Sequence, residues 1–220
     1  MARLPLTEPE QLPGYLRDLH DGAAEADWST RHVARVFAAA PELLETYLTR
    51  FYYPWHSNAE DAAGVARLTP RLKELVRLRI ATLNGCQTCK AARLAADSIP
   101  ERQALDIDGY ATSDDYSPAE RAAVRFAERL AVQHFDIDDS DVVALRTHFD
   151  DGEILELMMM AGQYIGFGRV LAVLQLETVA CPLPAATGWS RPAGRATSRA
   201  ADDASHDRPL VARIGRDTSG

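Results

Sequence analysis

The segment from Glu153 to about Thr178 is apolar nearly all the way round a helix, with Leu155, Met158, Met159, Ile165, Phe167 and Leu171 spread over its faces. A helix without a polar face persists only where other protein covers it, so this one belongs at the centre of a bundle or at a subunit interface. The rest of the chain can supply that cover. Helix starts and stops recur from about Leu12 onward, and no stretch alternates apolar and polar residues as a half-buried strand does. The expected fold is all-α, a compact multi-helix bundle that forms an oligomer.

Local signals divide the chain further. Pro13 to Ala24 reads as a first helix, and Ser29 and Thr30 are suited to cap a second that carries Val33, Val36 and Phe37 on one face. Pro41 suits the first turn of a third, which runs into the cluster Phe51 to His56, where Pro54 stops it. Thr69-Pro70 opens a helix to about Leu83, Asn84-Gly85 ends it, and another runs from Cys86 or Gln87 to Ala96. Ser117-Pro-Ala-Glu120 has the form of a capping box with proline at the first helical position. Asp138 or Asp139 caps a short helix to Phe149, and Asp150 or Asp151 opens the long apolar one. One helical domain with a mobile tail over 181–220 follows. In the tail, Pro, Gly, Ser, Arg and Asp replace the large apolar residues that would offset the entropy of ordering.

A net charge of -8 argues against nucleic acid as a partner, because phosphate binding needs clustered cations. The first ten residues hold no apolar run of signal-peptide length, and no later stretch offers eighteen uncharged apolar residues. A cytoplasmic protein with no membrane partner is therefore expected. Three cysteines are too few for a secreted disulfide scaffold, and in a reducing compartment Cys86-Gln-Thr-Cys89 points to catalysis or metal binding. Zinc needs two more ligands at sensible spacing, and neither a second Cys-x-x-Cys nor a His-x-x-x-His supplies them. No metal is expected, and without a glycine-rich phosphate loop no organic cofactor either.

At a helix start, free backbone N–H groups stabilise whichever sulfur is a thiolate. One thiolate attacks a hydroperoxide, leaving a sulfenic acid that the other thiol resolves to a disulfide. Cys181 reads instead as a half-buried apolar residue. Glu74 lies ten residues before the reversal at Asn84 and Arg93 nine after it, so antiparallel helices would bring them level as an ion pair behind the dithiol. The alternative is that Glu74 is one solvated charge in the series Arg71, Lys73, Glu74, Arg77, Arg79. Arg93 is also suited to hold a thiolate or a substrate carboxylate. Thr88 is able to hydrogen-bond a sulfur or a bound peroxide.

Several motifs resemble the carboxymuconolactone decarboxylase and alkylhydroperoxidase D superfamily. They are Lys73-Glu74-Leu75 through Arg79-Ile80-Ala81, Asn84 through Cys89, Ser117 through Glu120, Phe126-Ala127, Thr147 through Ile154, and Gly168 through Leu171. The resemblance implies a helical bundle assembled as a homotrimer or homohexamer, with the family-like helical core over 65–180 and an N-terminal helical extension over 1–64 packed on it. In the peroxidase branch it implies a dithiol working with a glutamate twelve residues before the first cysteine, here Glu74 and Cys86. A small hydroperoxide would be the substrate, and a dithiol reductant or lipoyl-type adaptor protein would reset the pair. That branch has a histidine four residues after the second cysteine, and some members have another between the two. Arg93 and Thr88 stand there in this chain. Thiol activation then slows or shifts to another base. His56, His134 and His148 are the candidates, His56 first because it follows an aromatic cluster suited to wall a pocket.

The other branch decarboxylates a lactone acid without a dithiol, and Arg77, Arg79 and Arg93 suit its carboxylate. The leading expectation is a thiol-dependent peroxidase or disulfide oxidoreductase with Cys86, Cys89 and Glu74 as its catalytic residues and Arg93, Thr88 and His56 around them. Its rivals are a lyase or isomerase acting on a small carboxylate and a non-catalytic, redox-sensing helical oligomer.

Overall fold

The computed structural model describes residues 2–56 and 66–178. The expected tail with Cys181, and the expected boundary at residue 64, lie outside them. Among the described residues every regular element is helical. Helix α1 (Gly14–Gly22) buries Leu16 and His20. Helix α2 (Trp28–Val36) is capped by Asp27, not by Ser29 or Thr30 as expected: the Asp27 carboxylate accepts from Thr30 N–H at 3.1 Å and from Ser29 Oγ at 2.8 Å. A carboxylate three residues before a free N–H satisfies it, which places Ser29 and Thr30 inside the first turn.

Helix α3 (Pro41–Tyr47) does not stop at Pro54. A π turn over Leu48–Tyr52, in which Tyr53 N–H reaches Leu48 O, passes the chain into α4 (Tyr53–His56). Proline therefore enters as the second residue of a new segment, where its missing N–H breaks no helical bond. This wider turn carries His56 into the interior.

Thr69 caps α5 (Pro70–Leu83) as expected, its Oγ1 accepting from Leu72 N–H at 3.2 Å. Gly85, at φ 64°, turns the chain in a conformation that disfavours any side chain. The following α6 (Gln87–Ala91) is shorter than expected, because the chain leaves it at Ala92 and turns Arg93 inward. Beyond it lie α7 (Glu101–Leu105), α8 (Pro118–Val132) with its Ser117–Glu120 capping box, and α9 (Asp139–Arg146) capped by Asp138. Helix α10 (Asp151–Leu174) is capped by Asp150 and ends at Gln175, which has φ 54°.

Helices α5, α8 and α10 pack on one another as the centre of the bundle. By length and composition α10 is apolar enough to cross a bilayer. Its inward face, with Ile154, Leu157, Met160, Ala161 and Tyr164, belongs to the main core. Of the residues expected to be covered, Leu171 is buried, while Leu155 and Met159 are 63% and 61% exposed. Helix α5 is buried on almost every side, its charges included. The series Arg71 to Arg79 is thus not a solvated face: Lys73 donates to Glu156 at 3.0 Å and to Trp55 O at 2.6 Å, and Arg71 donates to Glu120 at 2.6 Å. Burial of such charges is tolerated because each has a partner.

Candidate active site

The site begins at the turn between α5 and α6. Cys86 is the N-cap of α6, its Sγ accepting from Cys89 N–H at 3.1 Å, and the two cysteines are joined as a disulfide. Their surroundings differ. Cys86 is fully buried in a small cluster with Val36, Leu171, Leu174 and Leu176. Cys89 lines a pocket of about 80 Å³ together with Thr88, Tyr52, Gln163, Tyr164 and Phe167. Helix α10 approaches closely here: a Cβ on Gly168 would stand 3.6 Å from Cys89 Sγ and 2.7 Å from Asn84 Nδ2. Only a residue without a side chain lets the helix backbone come this near.

Behind the pocket lies a buried polar network. Glu74 is wholly buried, and Arg77, three residues on, grips it with two hydrogen bonds of 2.7 Å. Arg93 Nε lies 3.4 Å from Glu74 Oε1, the pairing expected from the chain reversal. Arg77 also donates to Cys89 O. Burial alone would raise the Glu74 pKa, but the hydrogen bonds and charge of Arg77, helped by His56 and Arg93, outweigh it and hold the carboxyl below its usual value.

His56 stands on the other side of the carboxylate, stacked on Tyr52 with ring centroids 5.6 Å apart. Tyr164, whose phenol burial keeps protonated, shares a hydrogen bond of 2.6 Å with His56 Nδ1. His56 Nε2 faces Glu74 Oε2 at 3.7 Å. Burial first, and then the charge of Arg77, push the His56 pKa down to about 4 despite Glu74.

Of the expected site residues, the fold brings Cys86, Cys89, Glu74, Arg93, Thr88 and His56 around one region. Thr88 Oγ1 is buried with no hydrogen-bond partner among the described residues. His134 and His148 lie exposed on the surface, away from the pocket lining. Sequence reasoning missed Tyr164, Gln163 and Gly168, and it took Arg77 for a surface or substrate-binding charge. The available signals were a phenol inside an apolar helix, whose hydroxyl needs a partner, and the glycines at 162, 166 and 168.

This arrangement defines a class, the alkylhydroperoxidase D-like helical fold. The chain superposes on an alkylhydroperoxidase AhpD core, an uncharacterized peroxidase-related protein from Ralstonia eutropha JMP134. The TM-score is 0.59 at 22% identity, covering 78% of this chain and 88% of that one. An uncharacterized peroxidase-related protein from Silicibacter sp. TM1040 gives a TM-score of 0.58 at 18% identity, covering 79% and 93%. The uncharacterized protein YdfG of Bacillus subtilis (strain 168) is 24% identical over 104 residues, 44% of this chain and 69% of its own. Residues 51–129, which hold Glu74 and both cysteines, match the carboxymuconolactone decarboxylase family. Beyond those residues the likeness to the solved structures is one of fold.

The buried imidazole makes stability depend on pH. With a pKa of about 4 when folded and ~6.5 when unfolded, His56 takes its proton first in the unfolded chain. Its contribution is intact above pH ~6.5 and is lost as the pH falls toward 4, about 3 kcal/mol in all. Glu74, with a lowered folded pKa, adds a loss of the same sign at still lower pH. Urea denaturation at pH 7.5, 5.5 and 4.5 is expected to show this decline, and His56→Phe to flatten its part above pH 5. A wild-type stability that stays level from pH 7.5 to 5 contradicts a buried, neutral His56.

Proposed function

We propose that the protein is a thiol-dependent peroxidase that reduces an uncharged organic hydroperoxide, with Cys89 as the attacking thiol and Cys86 as the resolving one. One observation carries the reading: Cys89 faces an apolar pocket on whose wall the Glu74–His56–Tyr164 network also ends, while Cys86 is sealed behind it. The Cys89 thiolate attacks the terminal oxygen of R–O–OH; the S–O bond forms, the O–O bond breaks, and the alkoxide leaves and takes a proton as the alcohol. Cys86 then attacks the sulfenic acid; the S–S bond forms and hydroxide leaves as water. A dithiol reductant returns the disulfide to two thiols.

His56 takes the part of the base. Neutral at pH 7, it is free to accept a proton relayed from the pocket by Tyr164, and Glu74 facing Nε2 stabilises the imidazolium formed. An uncharged substrate suits the pocket better than a carboxylate. Arg77 is committed to Glu74 and Cys89 O, Arg79 to Glu128 and Asp108, and Arg93 to Glu74, Glu101 and Ile99 O.

The test is stopped-flow mixing of reduced protein with cumene hydroperoxide, counting thiols and alcohol. Two thiols lost per alcohol formed, far faster than for free cysteine, are expected, with His56→Phe slower by about 10²-fold. Oxidation no faster than free cysteine's sinks the reading.

A further inference from the structure

The pocket wall beside Cys89 contains a side chain that the thiol chemistry leaves unused. Gln163 lines the pocket from α10, and Tyr47, on α3, donates a hydrogen bond to its Oε1. Burial, and then the neighbouring Tyr52, hold the Tyr47 phenol far above its ordinary pKa, so it remains a donor at any working pH. With Oε1 so engaged, the amide plane is fixed and Nε2 points away from Tyr47. That nitrogen is buried and has no hydrogen-bond partner among the described residues. Thr88 Oγ1, on the same pocket, is in the same state. Buried amide donors almost always have partners, because an unmet N–H in an apolar wall is destabilising. Leu48, Phe167 and Leu171, which line the same pocket, have no side-chain acceptor to offer it.

We propose that Gln163, oriented by Tyr47, is the hydrogen-bond donor that holds the oxygen of an uncharged organic ligand in this pocket. Under the peroxidase reading, on which this part alone rests, that oxygen is the leaving one of an alkyl hydroperoxide. As the O–O bond breaks, negative charge grows on the alkoxide, and a donor fixed beforehand lowers the barrier without giving up its proton. The proton that makes the alcohol comes from the route through Tyr164. Ligand specificity follows from the same wall, which offers an oxygen acceptor two donors and a bulky apolar group the aromatic and leucine side chains.

The test has two readouts. Cumyl alcohol is titrated into the disulfide form and followed by NMR, and cumene hydroperoxide is mixed with the reduced form. Gln163→Met is expected to weaken alcohol binding by about 5- to 10-fold, the effect of one neutral hydrogen bond. It is expected to slow hydroperoxide-driven thiol loss by about 10²-fold, as removal of an oxyanion donor does. Alkylation of the reduced protein by iodoacetamide, which has no oxygen leaving group, stays at the wild-type rate. Tyr47→Phe, which keeps the amide but frees it to rotate, gives smaller losses in the same sense.

Unchanged binding and oxidation in Gln163→Met overturn the inference and leave the peroxidase reading intact. An equal loss in iodoacetamide alkylation also overturns it, since the substitution has then disturbed the thiol itself. Gln163-dependent alcohol binding by a protein whose thiols resist hydroperoxide supports the donor and removes the peroxidase reading. A wild-type pocket that binds no alcohol overturns the inference.

Discussion

Cys89→Ser is expected to abolish oxidation by cumene hydroperoxide, thiol loss falling by about 10³-fold or more. Cys86→Ser is expected to lose its remaining thiol at close to the wild-type rate and to stop at a sulfenic acid that dimedone traps. Two physical effects pull in opposite directions here. The N-cap position, with Cys89 N–H aimed at Cys86 Sγ, favours a thiolate at Cys86. Access favours Cys89, since Cys86 is enclosed by Val36, Leu171, Leu174 and Leu176 while Cys89 meets the pocket. Access decides the first step, because a thiolate that the peroxide cannot touch does not react. The N-cap then decides the second: a Cys86 thiolate already stabilised three residues from the sulfenic acid is suited to resolve it. The reverse pattern, with Cys89→Ser forming the sulfenic acid and Cys86→Ser inert, exchanges the two roles and requires the cluster around Cys86 to open.

What the sequence made legible were features decided within a few residues. The capping boxes at Ser117 and Asp150, the Thr69 cap and the turn at Gly85 all rest on contacts three or four positions apart, and each stands where the local signal puts it. The features that escaped were decided at long range. Pro54 reads locally as a helix stop, but whether the chain leaves the helix axis there depends on the packing of Tyr52 and His56 against Tyr164, more than a hundred residues on. Helix α6 stops early because Arg93 finds Glu74 and Glu101, and no periodicity within α6 records that. The spacing of Glu74 and Arg77 was plain in the sequence. Their burial was not, because it is set by α8 and α10 closing over α5. Tyr164 and Gln163 were hidden by their apolar neighbours: a helix that reads as uniformly greasy also carries the two polar tips facing the pocket.

Arg77→Met is expected to destabilise the protein by about 3–5 kcal/mol, the usual effect of leaving one member of a buried ion pair alone. Glu74 has no exposure to water, and its two strong hydrogen bonds both come from Arg77. The neighbours that remain, Arg93 at 3.4 Å and His56 at 3.7 Å, are too far to replace a two-pronged grip. Without it, burial dominates and drives the Glu74 pKa upward, so the carboxyl is protonated closer to neutral pH. The second variant, Arg77→Met with Glu74→Gln, removes the stranded charge and is expected to recover part of the loss. Urea denaturation of both single variants and the double closes the cycle and gives the coupling between the pair. A loss below about 1 kcal/mol in Arg77→Met means that Arg93 moves in and takes over the carboxylate. The same substitution also removes the hydrogen bond to Cys89 O. If the pair only supports the fold, Arg77→Met oxidises normally wherever it remains folded; if it also holds Cys89 toward the pocket, the folded variant loses rate with cumene hydroperoxide, and Lys at position 77 restores stability without restoring that rate.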